Sequence, residues 1–326
     1  MKKYLLPALQ AGVTIYILAR LFGDAELRAN ATRVVAEADW LWMAGAAAAA
    51  AASELFCATR WWVVLRAFGT PLKWREAVAF SAIGLFYSLG LPGSAGGDAM
   101  RTLYVIERFP EKKLAAALSV LADRLCGLAA LIVMLGWTLT ENHGLFLEGR
   151  LGRGIVLAAV CMLSGAVLLL GLWWTTTIPA IQSRIEMRAK KISRQLLQPG
   201  EIFKRMIKSP QAMLAGVSLS ALSLAAHFLG YACSAQAFGS GIGAGIIFGI
   251  MPVVDTLTMI PVTLYGLGLR EALFAVLLGE FYEIPVGTAT LVSLGGFSAQ
   301  ALVALSGILF LPFVRFLRFG PMSLRT

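Results

Sequence analysis

Charge is scarce in this 326-residue chain: 14% of residues are charged and 58% are hydrophobic, whereas soluble domains carry about 25% charge and about 45–50% apolar residues. That shortage excludes an ordinary soluble domain. Cysteine is scarce too, with four scattered residues (Cys57, Cys126, Cys161, Cys233) and no C-x-x-C, so neither a disulfide framework nor a thiolate metal centre is expected. The two histidines, His143 and His227, stand too far apart in sequence to suggest a metal site, and His227 reads as a hydrogen-bonded packing residue. No P-loop, G-x-S-x-G or H-E-x-x-H occurs, so nucleotide-driven chemistry within the chain is not expected and no cofactor is implied.

What the chain has instead is long apolar runs without period-2 alternation, which read as helices rather than a transmembrane barrel. The expected fold class is all-α: a polytopic integral membrane protein of about eight spans plus re-entrant or broken half-helices in two related halves. The formal charge of +10 does not point to nucleic acid, because the basic residues sit between the apolar runs as the positive-inside rule requires. Tyr4 to Phe22 follows Lys2-Lys3 without a small-residue cleavage site and reads as a retained first span.

Along the chain, the acidic stretch 24–39 suits an external segment. Trp40 and Trp42 mark an interface, and the second span runs through the alanine tract to about Phe68. Ala77 to Leu91 is too short to cross comfortably. It is flanked on both sides by Lys and Arg, so it reads as re-entrant. Leu114 to Leu139, Gly154 to Trp174, Met213 to Phe238, Ile246 to Tyr265 and Val286 to Phe313 read as further spans, with Ala272 to Phe281 a short outward segment. The expected division is 1–183 as a first membrane half, 184–210 as a basic cytoplasmic connector, and 211–326 as a second half, with both termini cytoplasmic.

The organising feature is a pair of breaks. Leu91-Pro92-Gly93-Ser94-Ala95-Gly96-Gly97-Asp98 leads to Arg101, and Pro261 through Gly266 and Gly268 leads to Arg270-Glu271, with the same Pro-to-Arg spacing in both. Interrupted hydrophobic segments in corresponding places are the sequence pointer to a transporter's binding site. Pro92, Gly96, Gly97, Pro261, Gly266 and Gly268 are the expected backbone hinges. Asp98 is expected as the N-cap of a helix whose Arg101, Tyr104 and Arg108 share one face, and a helix start beside an arginine fork suits a phosphate. Asp98 acting only as a cap, and Arg101 only snorkelling to headgroups, are the plain alternatives.

Glu54, Asp123 and Asp255 lie deep within apolar segments, where ionisable groups face a partner or a cavity. They are expected to pair with Arg60, Arg101, Arg124 or Arg270, with structural pairing and function equally open. Asp123 and Arg124 are neighbours that cannot face each other on a helix, so each needs a partner elsewhere.

Taken together, these blocks give the chain a family likeness. Arg60-Trp61-Trp62 with Arg66 and Gly69, the Pro92-to-Arg101 block, Asp123-Arg124-Leu125, and Ile260-Pro261 through Gly266-Leu267-Gly268-Leu269-Arg270-Glu271 resemble the lysylphosphatidylglycerol synthase transmembrane-region family. That family is the flippase part of the bacterial multiple-peptide-resistance proteins and their stand-alone relatives.

The resemblance implies an all-helical flippase fold in the bacterial cytoplasmic membrane and lipid movement between leaflets. It leaves the lipid open among anionic phospholipid, aminoacylated lipid, hopanoid and polyprenyl-linked lipid. It does not reach the soluble aminoacyl-transferase domain of the synthase relatives, so no aminoacyl-tRNA chemistry is expected. The leading expectation is a non-enzymatic lipid translocase in which Arg60, Arg101, Arg124 and Arg270 hold a phosphate-bearing headgroup. In that reading Glu54, Asp98, Asp123, Asp255 and Glu271 balance or gate them. The rival readings are a membrane-embedded lipid-modifying transferase and a non-catalytic partner of a lipid-modifying enzyme.

Overall fold

The computed structural model describes residues 12–17, 32, 35–90, 95–141, 144, 146, 150–175, 208–259, 263 and 266–312. Pro92, Pro261, most of the first expected span, His143 and nearly all of the basic connector lie outside the described residues. Within them the chain is helical, with no strand. The helices are α1 (Trp40–Ala67), α2 (Trp74–Gly90), α3 (Ala95–Arg108), α4 (Lys113–Glu141), α5 (Arg150–Thr175), α6 (Pro210–Ala237), α7 (Ala244–Thr258), α8 (Leu269–Tyr282) and α9 (Val286–Ser306). Short 3-10 turns at Pro110–Lys112 and Gly307–Phe310 adjoin α4 and α9.

Among the described residues, four stretches are long and apolar enough to cross a membrane: Trp40–Ala67, Pro110–Glu141, Pro210–Ala237 and Val286–Phe310. Their outward faces expose Leu41, Val133, Leu214 and Leu309, as a hydrocarbon solvent permits. Lipid removes the hydrophobic drive between helices, so close packing of small residues has to hold them. The alanine tract of α1 and the Gly/Ser/Ala-rich face of α6 provide it. Gly230 lies against Ala46 and Ala49, Gly45 against Cys233, and Gly216 against Cys126 and Val64. These contacts run in opposite directions along the two helices, so α1 and α6 are antiparallel.

Two 28-residue helices, α1 and α6, end alike. The Thr70 and Gly69 amides donate to Leu65 and Arg66, and the Ser240 and Gly239 amides donate to Ala235 and Gln236. Both are Schellman endings, with Gly69 and Gly239 at φ 80° and 57°. At the crossing of α1 and α6, Ser53 Oγ donates to the Ser223 carbonyl at 2.9 Å and Ser223 Oγ to the Ser53 carbonyl at 3.1 Å, a reciprocal pair 170 residues apart.

Beside the first break, one expectation is corrected. α2 and α3 form an antiparallel hairpin: Glu76 faces Arg108 (3.6 Å), Phe80 stacks on Tyr104 (5.5 Å between ring centres), and Gly84 faces Gly97 and Arg101. Helix α3 begins at Ala95, so Asp98 lies inside the first turn instead of capping it. The face bearing Arg101, Tyr104 and Arg108 is turned toward α2.

The hairpin closes at Gly84 and Gly97. A methyl group on Gly84 would stand 2.8 Å from the Gly97 carbonyl oxygen, and one on Gly97 would overlap the Ser88 hydroxyl and the Gly84 carbonyl. Gly97→Val is therefore expected to destabilise the protein by about 1–3 kcal/mol through overpacking, read as a lower melting temperature in detergent. A variant melting with the wild type would show that the hairpin is looser than this.

The second break departs more from expectation. Ile246 to Tyr265 is not one span: α7 stops at Thr258 after 15 residues, about 22 Å at 1.5 Å per residue, short of the roughly 30 Å hydrocarbon core. Pro252 lies within it. The chain then reaches Gly266 and Gly268, at φ 78° and 86°, a conformation that glycine adopts without strain. Glu271 caps the start of α8: its carboxylate accepts from the Gly268 amide at 2.5 Å and from the Ser293 hydroxyl at 3.0 Å. Gly268 also packs against Ile17 and Thr14 of the helical piece at 12–17.

The largest core cluster joins α4, α5, α6, α7 and α8 around Phe228, Tyr231, Ile250 and Phe274. A second joins α1, α2 and α3 around Trp61, Phe80, Ile83 and Val105.

Candidate functional site

Three helices of the first half bring five charged side chains into one chain of contacts. Asp123, on α4 and 1% exposed, takes two arginines at once. Arg60 Nε donates to Oδ1 at 2.5 Å and Arg60 Nη2 to Oδ2 at 3.1 Å, while Arg101 Nη2 donates to Oδ2 at 2.9 Å. Arg60 also donates to Ser220 on α6 at 3.0 Å. Arg101 reaches Asp98 at 2.8 Å, and Asp98 accepts from Arg124 at 2.6 and 2.9 Å. Adjacent Asp123 and Arg124 thus serve different partners, as helix geometry requires. Bidentate Arg–carboxylate geometry of this kind is strong and orienting.

Arg101 and Arg270 occupy corresponding places. The Arg101 guanidinium lies 4.7 Å from the centre of the Trp61 ring, and that of Arg270 lies 5.9 Å from the centre of Tyr231. Trp61 and Tyr231 have the same 170-residue separation as Ser53 and Ser223. Both arginines are buried, 8% and 7% exposed, so neither dangles in bulk solvent. They line two adjoining cavities, Arg101 the smaller with Arg60 and Arg124, and Arg270 the larger.

A cavity of about 200 Å³ is lined by Arg60, Asp98, Arg101, Asp123 and Arg124 with Gly97. A larger one of about 390 Å³ is lined by Arg270, Asp255, His227, Gln300, Ser53 and Ser223. The two adjoin through Glu54, Cys57 and Leu85, which line both. Glu54 makes no direct hydrogen bond or ion pair to a described residue.

A third hollow, about 130 Å³ and mostly apolar, lies between α1, α2 and the end of α9, walled by Leu55, Ala58, Val78 and Phe310. It too reaches Glu54 and Leu85. Two chambers lined by charged side chains and an apolar groove therefore meet at one carboxylate.

Of the expected site residues, Gly266 lines the larger cavity beside Arg270, Gly97 closes the hairpin, and Gly268 shapes the turn into α8. Gly96 lies in the first turn of α3. Pro92 and Pro261 lie outside the described residues. Two acids end up in roles other than arginine pairing. Asp255 sits 3.3 Å from His227 Nε2, and Glu271, fully buried, caps its own helix.

Sequence reasoning gave His227 only a packing role and overlooked Gln300, whose Nε2 is 2.6 Å from His227 Nδ1. It also overlooked the Ser53–Ser223 crossing. The available signal was the 170-residue register, which pairs Ser53 with Ser223 and Trp61 with Tyr231.

A search of curated proteins and a search of solved structures each found no match. A family comparison did: the lysylphosphatidylglycerol synthase TM region matches residues 8–307, in agreement with the motifs around Arg60, Arg101, Asp123 and Arg270, and the chain belongs to that family.

Proposed function

We propose that this protein moves a phosphate-bearing lipid between leaflets of the bacterial cytoplasmic membrane without changing it covalently. The observation that carries this reading is the meeting of two charged chambers and one apolar groove at Glu54 and Leu85. That shape suits an amphiphile: a headgroup held among Arg270, Glu54 and the hydroxyls, with its chains lying along Leu55, Ala58 and Phe310 toward the bilayer.

Arg270 is the first choice for the phosphate, because a guanidinium fork matches phosphate oxygens and Arg270 lines the larger chamber, which meets the apolar groove at Glu54 and Leu85. In this account the first-half arginines set the field of the smaller chamber and receive the headgroup second. Asp255 and Glu54 serve as counter-charges to Arg270.

The two halves supply the motion. Antiparallel α1 and α6 cross at a reciprocal Ser53–Ser223 pair, and residues in matching register, Cys57 with His227 and Leu85 with Asp255, line one cavity beside that crossing. Two antiparallel helices related this way imply a pseudo-two-fold axis perpendicular to both, which is the arrangement of inverted-topology repeats. Rocking of one half against the other about that axis would open the chambers alternately to the two sides. The basic stretch 184–210 would join the halves on the cytoplasmic side, where both termini also lie, and would hold anionic lipid or a lipid-modifying enzyme close by.

The test is reconstitution. Proteoliposomes of phosphatidylcholine containing fluorescent phosphatidylglycerol should show leaflet exchange well above protein-free vesicles, with the labelled lipid recovered unchanged. Exchange no faster than in protein-free vesicles, or recovery of a covalently altered lipid, would overturn the reading.

A further inference from the structure

The larger cavity holds a histidine with no task in the account above. His227, on α6, has both ring nitrogens engaged: Gln300 Nε2 of α9 is 2.6 Å from Nδ1, and the Asp255 carboxylate of α7 is 3.3 Å from Nε2. An amide side chain offers an N–H on one edge and a carbonyl on the other. Gln300 can therefore donate to an unprotonated Nδ1 or, turned over, accept from a protonated one. In both states Nε2–H points at Asp255. The pocket accommodates imidazole and imidazolium alike, whereas a histidine that only packs needs one of them.

The groups facing His227 come from every helix around it. Glu54 and Cys57 of α1 line the same cavity, as do Asp255 of α7 and Arg270 of α8. Arg60 of α1 reaches Ser220 of α6 and links it to Asp123 of α4. Tyr231 meets the imidazole edge-on at 5.3 Å between ring centres, and α9 brings only the neutral Gln300.

Over both chambers, four arginines (Arg60, Arg101, Arg124, Arg270) stand against four carboxylates (Glu54, Asp98, Asp123, Asp255), which formally cancel. Among the side chains of the two chambers, the imidazole is the one that becomes a cation by taking up a proton. A headgroup of net charge −1 entering this enclosed space leaves it uncompensated, and Coulomb energies are large away from bulk water. One proton on His227 restores neutrality. The register adds the stoichiometry: the positions matching His227 and Asp255 in the other half are Cys57 and Leu85, so the imidazole–carboxylate pair occurs once.

The geometry points to His227 as a proton-binding site that couples the movement of an anionic lipid headgroup to the movement of one proton. This rests on the lipid-moving reading, and the experiment separates the two. Proteoliposomes of phosphatidylcholine with fluorescent phosphatidylglycerol receive a pH gradient of about one unit, with a pH-sensitive dye inside. Electroneutral one-to-one coupling drives the labelled lipid toward about a tenfold excess in one leaflet per pH unit, the ratio equivalent to 1.36 kcal/mol. The excess is measured above that in protein-free vesicles, and the dye reports protons moving with the lipid.

In His227→Gln the excess should fall to the protein-free value. Gln300→Leu, which removes the Nδ1 partner, should reduce it and keeps the test alive if the first variant does not fold. Lipid exchange that leaves the leaflets equal under the gradient, or a full excess in His227→Gln, would overturn the coupling and leave lipid movement standing. No exchange by the wild type under any gradient would remove the lipid reading and this one with it.

Discussion

Asp123→Asn is expected to lower stability by about 3–5 kcal/mol, the range for breaking a buried ion pair by removing one partner. The carboxylate is 1% exposed and neutralises two buried guanidiniums, those of Arg60 and Arg101. Asparagine keeps the shape and one acceptor oxygen but leaves both positive charges short of their counter-ion. The protein should reach the membrane poorly and, once purified, melt well below the wild type by tryptophan fluorescence.

Adding Arg101→Met should recover part of the loss, because replacing both members of a buried pair with apolar groups is far less damaging than orphaning one. If the single variant melts with the wild type, or the double variant melts lower still, Asp123 does not hold the first half together in the way described. Arg101→Ala read on transport alone would confuse this structural role with a binding role, so the two readouts belong together.

The largest effect on transport is expected at Arg270. Hydrogen bonds to charged groups contribute about 1.5–3 kcal/mol, so Arg270→Ala should slow exchange of labelled phosphatidylglycerol by about ten- to a hundredfold. Arg270→Lys should fall between the wild type and the alanine variant. Lysine keeps the charge, but it loses the planar fork and the stacking against Tyr231 and Phe297. Gel filtration of each variant checks that the fold survives. Exchange at the wild-type rate in a folded Arg270→Ala would remove this arginine from the path of the headgroup.

Much of the architecture was legible because it rests on backbone chemistry. Prolines and glycines mark the two breaks, and the equal Pro-to-Arg spacing points to equivalent arginines. The structure places those arginines alike, over Trp61 and over Tyr231. The need for separate partners for Asp123 and Arg124 followed from helix geometry alone.

The pairing itself was not legible. Three arginines and two acids spread over α1, α3 and α4 allow several pairings, and the choice depends on how the helices cross. Asp98 was misplaced by a few residues because a glycine-rich stretch does not show where its helix begins. Ile246 to Tyr265 has the apolarity of a span, and hydropathy does not register that the helix stops at Thr258. His227 carries no pattern by itself, since its partners Asp255 and Gln300 come from two other helices. The Ser53–Ser223 crossing is hidden because serines in Ala/Leu/Ser-rich helices look alike until register is known.

The most direct measurement of the central claim is a cryo-electron-microscopy map of the protein in nanodiscs made with phosphatidylglycerol. A headgroup should appear in the chamber walled by Arg270, Glu54 and Ser223, its phosphate against the Arg270 guanidinium and an acyl chain leaving along Leu55 and Phe310. A map in which both chambers hold water alone, with lipid bound only around the outer faces of α1 and α4, would contradict it.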